Sequence, residues 1–146
     1  MRLTVQSDFS LRVLIYVASK RGQLATIPEI AAAYDISRAH LMKVVQKLGK
    51  LGYLETVRGR SGGILLARPA GDICIGSVVR ATEETSLVAC LSTETDGPGC
   101  RIDGACRLKG MLVEALRAFF EVLDRYTLAD IVDGRAVPLR RLLQLA

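Results

Sequence analysis

The sequence predicts a mainly α-helical fold carrying one small β-hairpin, and three observations lead there. Apolar residues recur at helical spacing through residues 8–20, 38–51 and 106–125. Two short apolar runs, residues 52–57 and 64–67, flank Arg58-Gly59-Arg60-Ser61-Gly62-Gly63, a loop of arginines and glycines suited to a hairpin tip. Half of the 146 residues are hydrophobic and 24% are charged, which supports one modest core rather than a disordered chain.

Each element has its own signal. In residues 8–20, Phe9, Val13, Tyr16 and Val17 form an apolar stripe widened by Leu11, Leu14, Ile15 and Ala18, so this helix is buried on most sides. Ser7 is its expected N-cap, and Lys20 and Arg21 suit its last turn before Gly22. Thr26-Ile27-Pro28-Glu29 is a capping-box pattern with proline in the first turn, and it opens a short helix from Ile30 to Tyr34. The turn Asp35-Ile36-Ser37 leads into a third helix from Arg38 to about Leu51, with Leu41, Val44, Val45 and Leu48 on its apolar side. Two helices joined by a tight turn and followed by a basic hairpin make a winged helix-turn-helix. The third helix suits a DNA major groove, and the arginine tip suits the neighbouring backbone or minor groove. A short helix is expected over Ile75 to Glu84. The long helix of residues 106–125 repeats its apolar positions too far for a mere cap on a small core, so it is read as a dimerisation helix. Leu128 to Val132 forms a last helical turn.

The net charge of +5 is unevenly spread. Residues 1–68 hold 11 Lys/Arg against 4 Asp/Glu, whereas residues 69–146 hold 9 against 11. Only the first part is built to meet a polyanion. Ser37, Arg38, His40, Lys43, Arg58 and Arg60 are the expected DNA contacts. Lys47 and Lys50 lie beside them and read equally well as solvated surface. His40, the single histidine, also reads as an ordinary surface residue. No apolar stretch reaches the roughly 20 residues that span a bilayer, and Asp8 and Arg12 interrupt any signal-peptide pattern. A cytoplasmic location is expected, where cysteines stay reduced.

Cys90, Cys100 and Cys106 follow a C-x9-C-x5-C pattern in a loop containing Gly97, Pro98, Gly99 and Gly104. Thiolates at irregular spacing among glycines suit iron–sulfur ligation. Free thiols are one alternative. Zinc is another, although it ordinarily uses C-x2–4-C pairs. Cys74, between Ile73 and Ile75, reads as a small buried hydrophobe. Asp8 reads as an acid favoured by the helix dipole. No phosphate loop, C-x-x-C redox pair or serine-hydrolase elbow occurs, which argues against an enzyme.

Several stretches carry a resemblance across nearly the whole chain. They are Leu3-Thr4 with Asp8, Leu11-Arg12, Ser37-Arg38-Ala39-His40-Leu41 and Val57-Arg58-Gly59-Arg60-Ser61-Gly62-Gly63. Ile75-Gly76-Ser77-Val78-Val79-Arg80, Ala105-Cys106-Arg107-Leu108 and Leu123-Asp124-Arg125-Tyr126-Thr127-Leu128-Ala129-Asp130-Ile131 complete the set. Together they resemble the winged-helix iron–sulfur repressors that include IscR and NsrR. IscR-like members carry a fourth-ligand histidine three residues after the last cysteine, where this chain has Lys109, so the likeness is to the nitric-oxide-responsive, NsrR-like branch. The resemblance implies that Cys90, Cys100, Cys106 and the partner subunit's Asp8 hold a cluster, 4Fe–4S ahead of 2Fe–2S. Two departures stand out: the interval between Cys90 and Cys100 is longer than usual, and Cys74 has no ligand role in the family.

The implied organisation is a DNA-binding domain over 1–68, a connecting helix over 69–84 and a cluster loop over 85–106. A dimerisation helix with a terminal turn follows over 107–132, then a tail over 133–146. The implied function is that of a homodimeric repressor on a palindromic operator, released when nitric oxide attacks the cluster. The alternatives are a redox- or iron-responsive regulator of the same family with a 2Fe–2S cluster, and, from another class, a thiol-based redox enzyme.

Overall fold

The computed structural model describes residues 2–84, 87–88, 100–134 and 136–145. Seven α-helices and one two-stranded antiparallel sheet occur among them. The central helix is α1 (Val5–Ser19), which packs against α3, α4, α6 and the second strand. Its C-terminal half supplies Val13, Leu14, Tyr16 and Val17, all buried, whereas its N-terminal half buries Ser7 and Ser10 instead. The helix starts three residues earlier than its periodicity suggests, and its N-cap is Thr4, not Ser7. Thr4 has extended backbone and accepts a hydrogen bond from the Ser7 N–H at 3.3 Å, while the Ser7 hydroxyl lies 3.0 Å from Thr82 Oγ1. Ser7 is thus committed to a helix–helix contact, which leaves the capping role to Thr4.

The expected capping box opens α2 (Ile27–Tyr34): Thr26 Oγ1 accepts from Glu29 N–H and Glu29 Oε2 accepts from Thr26 N–H. Asp35 then adopts left-handed backbone (φ 52°), turning the chain into α3 (Arg38–Lys50), whose N-cap is Ser37. Leu41, Val44, Val45 and Leu48 bury one side of α3 against α1 and α2.

The hairpin pairs β1 (Leu54–Val57) with β2 (Gly63–Leu66) in the register Leu54↔Leu66 to Val57↔Gly63. Ala25 adds a bridge to Ile64 from the far side, with hydrogen bonds of 3.0 and 2.7 Å. A Cβ on Gly63 would lie 2.7 Å from the Ala25 carbonyl oxygen, so only glycine fits there. Arg68 closes the base of the hairpin, donating twice to the Gly52 carbonyl (3.1 and 2.9 Å) with its guanidinium 4.9 Å from the Tyr53 ring centre.

The connecting segment forms α4 (Ile75–Thr82), shorter by two residues than expected, followed by α5 (Arg107–Leu123). Only Phe120 of α5 is buried, and Leu108, Met111, Val113 and Val122 are exposed. The Thr127/Asp130 capping box starts α6 (Leu128–Asp133). Residues read as a plain tail contain α7 (Ala136–Leu142). Pro138 occupies the first turn of this helix, where its missing N–H costs nothing. Just beyond this helix Leu143 is buried, and Arg140 Nη1 donates to the Ser19 carbonyl at 2.6 Å, which satisfies the end of α1. No helix among the described residues is long and apolar enough to cross a membrane.

Candidate nucleic-acid interface and cysteine loop

The buried side of α3 leaves Ala39, Lys43, Gln46 and Lys50 pointing away from the core, with Arg38 and Met42 exposed beside them. Ala39, Met42 and Gln46 escaped the charge-based reading because none is basic. A glutamine amide matches the donor–acceptor edge of adenine, and an exposed methionine suits a thymine methyl. Met42 is exposed on this face.

Ser37 and His40 are both exposed but are also structurally engaged. Ser37 Oγ accepts from His40 N–H at 3.3 Å and lies 3.1 Å from His40 Nδ1. The imidazole meets the Phe9 ring edge-on, with centroids 6.1 Å apart. The first turn of α3 is therefore braced against α1. Arg58 and Arg60 stand exposed on the hairpin tip, and neither forms an ion pair among the described residues. Gly59 shapes that tip with φ +117° and its carbonyl accepts from Gly62 N–H at 3.0 Å. Lys47 behaves differently from Lys43 and Lys50: it is half-buried, and its charge acts on Glu83.

Glu83 is the C-cap of α4, where the chain leads into the cysteine loop. Its carboxylate accepts from Thr4 N–H at 3.1 and 3.0 Å and from Thr4 Oγ1 at 3.1 Å. Burial pushes this carboxyl upward, but hydrogen bonds from Ser7 and Thr4 and the Lys47 charge outweigh it and hold it below the usual range. The start of α1 is therefore tied to the end of α4 by polar contacts that charge pattern alone did not suggest.

Asp8 sits one turn into α1, half-exposed, and accepts from Arg12 Nε at 3.0 Å. With Arg2, Leu3 and Val5 it lines an open cavity of about 300 Å³. Of the cysteines, Cys90 lies outside the described residues. Cys100 is exposed, and Cys106 is half-buried at the N-cap of α5, where its side chain makes no capping bond. Between them the chain turns tightly: Asp103 N–H donates to Cys100 O (3.0 Å), Ala105 N–H to Ile102 O (3.0 Å) and Cys106 N–H to Asp103 O (3.4 Å). Position 109, where IscR-like relatives carry a histidine ligand by the resemblance above, holds Lys109 bonded to Asp103 Oδ1 at 2.8 Å.

The reading of Cys74 as a buried hydrophobe needs correction. It is half-buried, and its Sγ lies 3.6 Å from Asp124 Oδ1 and 3.9 Å from the Asp124 carbonyl oxygen. The bridge between Cys74 and Thr127 places the thiol beside that carboxylate, a contact between residues 50 positions apart.

A helix-turn-helix with an outward basic helix, followed by a basic hairpin, defines a DNA-binding transcriptional regulator of the winged-helix class. The chain belongs to the Rrf2 family of iron-dependent transcriptional regulators, whose family model matches residues 3–134. It is 50% identical over 146 residues to the HTH-type transcriptional regulator NsrR of Geobacillus kaustophilus, covering 99% of this chain and 97% of that one. It is likewise 50% identical to NsrR of Bacillus subtilis, over 92% of both chains. Among solved structures, IscR of T. potens superposes with a TM-score of 0.72 at 23% identity, over 92% of this chain and 88% of that one, which supports the winged-helix fold.

Proposed function

We propose that the chain is a homodimeric repressor whose binding to a palindromic operator is controlled by nitric oxide through an iron–sulfur cluster held by Cys90, Cys100, Cys106 and the partner subunit's Asp8. The observation that carries the reading is the 50% identity, over 99% of the chain, to a regulator named NsrR. Local chemistry supports it. Cys100 and Cys106 are unpaired thiols at the two ends of a tight turn. Cys106 sits at the N-terminus of α5 with its side chain uncommitted to capping. Asp8 is a half-exposed carboxylate beside an open cavity. Thiolates with one carboxylate are a donor set that suits iron. The 4Fe–4S form is the favoured cluster.

Bound there, the cluster supplies iron that reacts with nitric oxide. The protein contributes the mechanical link. Joining Asp8 of one subunit to the thiolates of the other restrains how far apart the two DNA-binding halves sit. Within one subunit, Phe9 lies one residue after Asp8 and packs on His40 in the first turn of α3, so movement of the start of α1 is felt at the recognition helix. Arg38, Lys43, Arg58 and Arg60 hold the phosphates, and Ala39, Met42 and Gln46 face the base edges. Two such arrangements, biased by the ligand set, make a switch.

The test is anaerobic purification, an absorption spectrum with iron and sulfide assays, and operator binding before and after sub-stoichiometric nitric oxide. Brown protein that releases DNA as it bleaches is the expected result. Colourless, iron-free protein that binds DNA equally well with and without nitric oxide overturns the reading. The matched family description, an iron-dependent regulator, favours a second reading: a 2Fe–2S cluster reporting redox or iron status. One-electron reduction that alters DNA affinity without nitric oxide would favour it.

A further inference from the structure

Two of the most distinctive sequence stretches, residues 75–80 and 123–131, are not used by the DNA interface or the cysteine loop, yet the fold brings them together. Arg80 on α4 grips Asp124, the C-cap of α5, with both terminal nitrogens: Nη1 to Oδ1 and Nη2 to Oδ2 are each 2.7 Å. The Arg80 guanidinium also lies 4.2 Å from the Phe120 ring centre. Phe120 is the single buried residue of α5. Gly76 is buried under the Asp124 carboxylate, and a Cβ there would overlap Oδ1, so the α4 surface is shaped to let that carboxylate approach.

Beside this fork runs a backbone strap. Ile75 N–H donates to Tyr126 O at 2.9 Å and Leu128 N–H to Ile73 O at 2.8 Å. The strap fixes where α5 leaves the DNA-binding domain, but one fixed point leaves a helix free to pivot. The Arg80–Asp124–Phe120 contact is a second point, and two points define an axis. Towards its N-terminus α5 leaves Leu108, Met111 and Val113 exposed among the described residues.

We propose that Arg80 is a positioning residue that sets the angle of the dimerisation helix, and through it the separation of the two recognition helices on DNA. The proposal rests on the dimeric reading above. Its leverage follows from length. The 17 residues of α5 span about 25 Å, so a pivot of about 10° at Asp124 displaces the far end by about 4 Å. That exceeds the rise of one base pair, about 3.4 Å. The planar, bidentate fork stacked on an aromatic ring specifies a direction, which a lysine could not do.

The experiment uses the full-length holo dimer and a duplex selected from a random pool by the wild-type chain. That duplex is rebuilt with one base pair inserted or removed at its centre. Wild-type protein should discriminate against both altered spacings by tenfold or more. Arg80→Ala and Asp124→Asn should narrow that discrimination to about twofold while binding to an isolated half-site stays unchanged, and Arg80→Lys should fall between. Asp124→Asn keeps the side-chain size, so it serves if Arg80→Ala folds poorly. Sedimentation should show a dimer throughout. If dimeric variants keep the wild-type discrimination, the positioning role is overturned. If wild-type protein is monomeric or selects only a half-site, the dimeric reading fails, and the proposal falls with it.

Discussion

Replacing Arg60 by alanine tests the DNA interface at the exposed hairpin tip. The side chain stands on the hairpin tip with no ion pair among the described residues, so its loss should leave the thermal midpoint unchanged. Each phosphate neutralised by a cation contributes about 0.9 to the slope of log affinity against log salt. A dimer presents two tips, so the slope should flatten by about 1.8. Between about 50 and 200 mM salt this makes the variant's loss of affinity about 12-fold smaller than that of the wild type. Fluorescence anisotropy of a labelled operator, titrated at four or five salt concentrations, reads the slope directly. An affinity that falls with no change of slope would remove Arg60 from the phosphates and assign it to base reading. An unchanged affinity and slope would remove the hairpin from DNA altogether.

Other substitutions probe the links behind that surface. Phe9→Leu keeps most of the apolar contact but loses the ring edge against His40, and should weaken operator binding about two- to tenfold with little change in the urea midpoint. Glu83→Gln should flatten the acid side of the stability profile. The folded carboxyl is held below its usual range, so its contribution is present above the ordinary Glu pKa and is lost as pH falls through the lower folded value. Urea unfolding across pH 3–7 would measure it, and an unaltered acid limb would discount the Thr4 contact. Leu14→Ala removes a fully buried side chain from the central helix and should cost about 2–5 kcal/mol by urea unfolding.

Local physics made much of this protein legible in its sequence. The capping box at Thr26 and Glu29, the apolar stripe of α3 and the glycine-rich basic hairpin are each decided by residues within a turn or two of one another, so reading in order recovers them. The charge imbalance between residues 1–68 and 69–146 marks the DNA-binding part, because helices and hairpins that meet phosphates must be basic. The three cysteines, by type and spacing, are what the proposed cluster is built on.

Contacts between distant residues were decided only by tertiary structure. Ser7 looks like an N-cap until Thr82, 75 positions away, claims its hydroxyl. Cys74 looks like a core residue until Asp124 lies beside it. Residues 133–146 look like a plain tail until α7 forms there and its Arg140 reaches the end of α1. Glu83, Arg80 and Asp124 are ordinary surface charges in the sequence, and they become a tie and a joint only when α1, α4 and α5 meet. The physical reason is common to all of these: a cap or a turn is closed by its own neighbours, whereas a polar side chain between packed helices is satisfied by whichever partner the fold delivers.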